Sequence, residues 1–173
     1  MAVGMKRLSI LGIFGTVFII FYGTPVQSSG IKSANVFKDW SVHIAGQKKK
    51  KICYIHGKPQ KSAGKYKVRG PTYMQVTHRT ASRARNEVSI TAGYIFKKDS
   101  AVSVKIDKKT FSMYTAGATA WSEDDSTLVA AMRAGTSMTV IGTSKRGTVT
   151  TDRYSLSGFT LAHKAINRAC HKK

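Results

Sequence analysis

"TDRYSLSGFTLAHKAINRAC", residues 151–170, changes from a strand pattern to a helical one within two or three residues and ends on one of two cysteines in the chain. Ser157 is placed to cap the turn. Beyond it Ala162, Ala165, Ile166 and Ala169 recur at helical spacing, with Phe159 and Leu161 close by and Cys170 four residues after Ile166. The alanines let such a helix lie close on a sheet, as the short reach of a disulfide demands. The segment therefore predicts a helix tied by its last turn to something earlier in the chain, and Cys53 is the only partner.

Cys53 lies in "ICYIH" (52–56), where it alternates with Ile55 against Ile52, Tyr54 and His56; "WSVHI" (40–44) alternates in the same way. Period two continues in "TYMQVTH" (72–78), "EVSITAGYIF" (87–96), "AVSVKID" (101–107), "TFSMY" (110–114), "TSMTVIG" (136–142) and "TVTTDRYSL" (148–156). Eight short strands punctuated by turns such as "KKDS" (97–100) and "SKRG" (144–147) predict a mainly antiparallel sandwich or barrel. A second helix is expected over about 123–134, with Ser122 as N-cap, Asp125 three residues on and Gly135 as the stop. The last helix is expected over about 158–170. "HGKPQKSAGKYKVRGP" (56–71) reads as a loop.

The amino terminus has the plan of a secretory signal peptide: Lys6 and Arg7, then the apolar run Leu8–Tyr22, then "GTPVQSSG". Cleavage after Ser28 places Val26 and Ser28 at the small-residue positions, and Ala34 is an alternative. Residues 1–28 are thus assigned to the signal and 37–173 to one domain. An uncleaved anchor is the competing reading, although the run falls short of the roughly 18–20 residues that span a bilayer. Both readings export the chain to a periplasmic or secreted location, where a lone pair of thiols is normally oxidised. A Cys53–Cys170 bridge closes a loop of more than a hundred residues, for which chain entropy suggests about 4–5 kcal/mol. The spacing fits neither a zinc site nor a redox motif.

The 173 residues hold 29 Lys and Arg against 8 Asp and Glu, a formal charge of +21. Such a chain gains from releasing counterions on any polyanion, without sequence selectivity. Lysines also keep an exported protein soluble and its strand edges unpaired. The candidate binding residues are Lys48, Lys49, Lys50 and Lys51 ("KKKK"), with Lys58, Lys61, Lys65, Lys67 and Arg69 of the lysine-rich loop; Arg79, Arg83 and Arg85 form a third cluster. Tyr66 is the one interleaved aromatic, a thin basis for single-strand binding, so no specific nucleic acid is expected. Export favours an anionic component of the envelope or a host surface, met by peripheral contact with a membrane.

Catalytic residues are scarce. His43, His56 and His78 read as polar residues of strand faces rather than bases beside a nucleophile. Glu123, Asp124 and Asp125 point in different directions within one helical turn, which favours capping over metal binding. No catalytic residue, metal or cofactor is assigned. A small secreted basic hydrolase or nuclease with a histidine-dependent site is the alternative.

Trp40, Cys53, then "GYIF", "VSVKID", "AWSEDDSTLVAAMRAG", "SMTVIGTSKRGT" and the closing "TDRYSLSGFTLAHKAINRAC" together resemble the invasion-associated locus B family of exported alphaproteobacterial proteins. The likeness runs from about residue 37 to Cys170 and is densest after Ala118. It implies a periplasmic or envelope-associated protein with an immunoglobulin-like β-sandwich, linked in some members to virulence through host-cell entry, with no enzymatic activity.

Overall fold

The computed structural model describes residue 1 and residues 32–171. The expected signal peptide therefore lies, but for Met1, outside the described residues. Among the described residues eleven strands and two α-helices follow one another: β1 (Lys32–Phe37), β2 (Trp40–Ala45), β3 (Ile52–Gly57), β4 (Lys61–Gly64), β5 (Tyr73–Arg79), β6 (Ala84–Thr91), β7 (Val102–Ile106), β8 (Lys109–Ala116), β9 (Thr119–Ser122), α1 (Asp125–Ala134), β10 (Ser137–Thr143), β11 (Val149–Ser155) and α2 (Phe159–His171). All pairings are antiparallel, in the order β1-β2-β3-β5-β6-β9-β8-β7-β10-β11-β4.

The chain is mainly β, as its alternation predicts, but its strands form one hydrogen-bonded sheet. A twisted sheet of this width must curl. The curl brings early strands onto late ones: Trp40, 1% exposed, donates from Nε1 to the Ser155 carbonyl at 3.0 Å, and its ring meets Phe159 edge-on at 5.0 Å. Gly57, the register partner of Trp40, makes room, because a Cβ there would stand 2.7 Å from the indole. Gly158 has φ +89° at the strand-to-helix turn, and a Cβ would collide with the Phe37 carbonyl. These two glycines set how closely α2 and β2 approach the end of β11.

α2 buries Phe159, Ala162, His163, Ile166 and Cys170 against the sheet. A disulfide joins Cys170 to Cys53 of β3, with a Cα–Cα distance of 6.1 Å and a sequence separation of 117.

Three expectations need correction. The loop expected at 56–71 contains β4, whose residues Lys61–Gly64 pair with β11. "EVSITAGYIF" is not one strand: β6 ends at Thr91, and Phe96 makes an isolated bridge to Ser144. The N-cap of α1 is Asp124, which accepts from the Thr127 N–H at 3.0 Å, because Ser122 is still paired with Met113 as the last residue of β9. Asp125 instead accepts from the Val88 N–H at 2.9 Å, one residue beyond the β6–β9 pairing.

Candidate functional site

The nine basic candidates do not form one patch. Lys48, Lys49 and Lys50 make a single 3-10 turn before β3, while Lys58 and its neighbours follow it. Six extended residues separate the groups by roughly 20 Å.

At the first end, Thr80 braces two turns together. Its hydroxyl accepts from the Lys51 N–H at 2.8 Å and donates to the Lys49 carbonyl at 2.8 Å, while its own N–H reaches the Lys51 carbonyl at 3.0 Å. The β2–β3 turn is thereby held against the β5–β6 turn, which carries Arg83 and leads into β6 with Arg85. The last turn of α2 adds Arg168, and Lys51 Nζ donates to the Ala169 carbonyl at 3.3 Å. Lys48, Lys49, Lys50, Arg83, Arg85 and Arg168 are exposed and Lys51 is half-buried. Among the described residues none of the seven forms an ion pair; Glu87 is engaged by Arg79 at 3.0 Å. Lys48 and Arg83 both have positive φ, 49° and 57°, so the turns hold long cationic side chains in a backbone region that L-residues disfavour.

At the second end Lys58, Lys61, Lys65 and Lys67 are exposed, but Arg69 is not a surface cation. Its guanidinium grips Asp152 with two 2.7 Å hydrogen bonds, the side chains being 6% and 3% exposed, and its Nε donates to the Ala92 carbonyl at 2.7 Å. Ser62 Oγ adds a 2.6 Å bond to Asp152, and the Tyr66 and Tyr94 rings lie 5.6 and 5.1 Å from the guanidinium. Burial pushes the Arg69 pKa down, but the hydrogen bonds and charge of Asp152 outweigh it and the net shift is upward. Arg69 fastens residues 61–69 to β11, so the basic patch expected of that segment loses one member to structure. Asp152 was the missed signal: Thr150, Asp152 and Tyr154 alternate inward on β11, and an inward acid needs a cation.

A family model described as invasion associated locus B (IalB) protein matches residues 40–167. The chain belongs to that family. Among solved structures it is similar to the crystal structure of invasion associated protein b from Bartonella henselae, with a TM-score of 0.56, 18% sequence identity, and coverage of 80% of this chain and 97% of that one. That likeness bears on the fold alone. No curated protein sequence matches. The IalB span takes in Lys48–Lys51, Arg83 and Arg85, the Lys58–Arg69 end, the Arg69–Asp152 pair and four of the histidines, His43, His56, His78 and His163.

Those histidines lie on two faces. His43 and His56 occupy the outer face of β2 and β3, their rings 6.3 Å apart; His43 stacks on Tyr54, and His56 lies tilted against Tyr73. Burial, then the charges of His43 and Lys58, lower the His56 pKa. His78 corrects the expectation of a polar strand face: it is 0% exposed, on the inner face with Met74 and Val76. Its Nδ1 accepts from the Asn86 N–H at 3.0 Å and its Nε2 donates to Asn167 Oδ1 at 3.1 Å. Asn167 Nδ2 in turn donates to His163 Nδ1 at 3.2 Å, and His163 Nε2 to Asn86 Oδ1 at 2.8 Å. The four residues close a ring in which each imidazole is neutral and held in one tautomer. His163 and Asn167, at i and i+4 on α2, were the sequence signal for it. Burial, then the charges of His171 and His163, lower the His78 pKa to about 4. The ring's partners are amides, so it fastens α2 to β5 and β6 rather than assembling an acid–base pair.

Among the described residues no group of three or more His, Cys, Asp or Glu side chains is placed to hold a metal. No helix among them is long and apolar enough to cross a membrane.

Proposed function

We propose that this IalB-family chain is a non-enzymatic, exported, envelope-associated protein that holds an anionic envelope or host-surface component through the Lys48–Lys51 end of its sheet, and that this contact aids host-cell invasion. The observation that carries the reading is seven cations on two braced turns, the start of β6 and one helix end, with no ion pair among them in the described residues. The Cys53–Cys170 disulfide supports export, because such bonds persist in oxidising compartments. The family, and the invasion-associated name of the similar Bartonella protein, support the link to invasion.

Each lysine near an anionic membrane contributes about 1 kcal/mol. Reversing Lys48, Lys49 and Lys50 together to Glu is therefore expected to weaken binding to anionic vesicles, or retention on heparin, by at least about a hundredfold, and binding by the native chain should fall steeply with salt. Reversal of Lys58, Lys61 and Lys65 is the control and should cost less. Salt-independent binding, or equal loss from either end, would overturn the proposal.

A further inference from the structure

Beside the cationic end, β1, β2, the turn before β3 and α2 line an open groove of about 400 Å³, within the range of roughly 300–1,000 Å³ usual for small-molecule sites. Val42, Ile44, Ala165 and Ala169 give it an apolar lining, and Lys51 and Arg168 bring cations to it. We infer that this groove takes the acyl chain of a fatty acid, whose carboxylate is held by Lys51 and Arg168.

Charge complementarity selects this occupant. An apolar lining alone would suit any hydrophobic segment, but both cationic side chains in the groove are without a carboxylate partner among the described residues. Lys51 uses one of its three donors on the Ala169 carbonyl. Arg168 makes no side-chain hydrogen bond among the described residues, so its fork is available for bidentate contact with a carboxylate. The last carbonyls of α2 would repel an anion, and Lys51, seated on one of them, offsets that repulsion. The alanines matter as well: they leave the volume that a larger side chain at 165 or 169 would fill. The inference rests on the same cationic end as the proposed surface contact and names a ligand class for it.

The test is titration of the full chain with octanoate, decanoate and dodecanoate below their micellar concentrations, followed by calorimetry or NMR, with dodecyltrimethylammonium as the opposite-charge control. Affinity should rise by about fourfold or less per added methylene, the value of one buried CH₂, until the groove is filled. Ala165→Phe should reduce dodecanoate affinity at least tenfold. Lys51→Ala with Arg168→Ala, both at solvent-accessible positions, should weaken dodecanoate but not the cationic amphiphile, which keeps the inference testable should the phenylalanine disturb folding. The Lys48, Lys49 and Lys50 to Glu variant should lose vesicles yet keep dodecanoate within about threefold, so failure of the surface reading and failure of this one are distinguishable. No dodecanoate binding by the native chain, whether because another part of the chain fills the groove or for any other cause, would overturn it. So would binding indifferent to chain length or to Ala165→Phe.

Discussion

The two ends of β3 carry similar basic sequence and use it differently. At Lys48–Lys50 the charges are left to solvent, and rigidity comes from backbone bonds to Thr80. At Lys58–Arg69 one cation turns inward to a buried acid and holds an otherwise featureless segment in place. A count of positive residues cannot separate a cation offered to a partner from one spent on the fold; the separation depends on where a carboxylate lies in three dimensions.

The sharpest way to break this contrast is to delete one half of the buried pair. Asp152→Ala should destabilise by about 3–5 kcal/mol, since it strands an uncompensated buried charge, whereas the paired replacement Arg69→Met with Asp152→Leu should recover much of the loss. Denaturant unfolding checks both, and a loss below about 1 kcal/mol for Asp152→Ala would place Arg69 with the surface cations. Next in size, Cys53→Ser with Cys170→Ser should cost about 2–5 kcal/mol by the same measurement.

Acid should act on the inner histidines rather than on either basic end. The unfolded chain protonates His78 near 6.5 and the folded chain only near 4, so the unfolded state binds more protons between those values. Stability is then complete above about pH 6.5 and declines as pH falls towards 4, by up to about 3 kcal/mol. His163, lowered by burial and by Arg133, and His171, lowered by burial and by Arg85, act in the same direction. Unfolding midpoints between pH 7 and 4 should fall along this slope, and His78→Gln should flatten it; an unchanged slope in that variant would remove the ring as its source. The smallest effect belongs to the exposed end: Lys48→Ala, Lys49→Ala and Lys50→Ala should each change stability by less than about 0.5 kcal/mol.

Period two made most strands legible, and helical spacing made α2 legible together with its tie to Cys53. β4 was not, because "KSAG" has no alternation and is held at a sheet edge by backbone bonds to β11. His78 shows a different failure. It shares parity with Met74 and Val76, so the alternation itself pointed it inward, and reading it by its polarity sent it to the wrong face. The basic candidates were legible as residues but not as a site, since their grouping depends on the pairing of β2, β3 and β5 and on Thr80 between two turns.

Lys51, at the edge of the cationic end, stands two residues from Cys53, and Cys53 is bonded to the last turn of α2. Tension between a surface gripped at that end and the carboxy terminus would therefore travel through two sulfur atoms and a few residues of β3. The long loop between the cysteines, which stand 117 apart in sequence, would bear almost none of the load, and a pull along that line could not unzip the sheet.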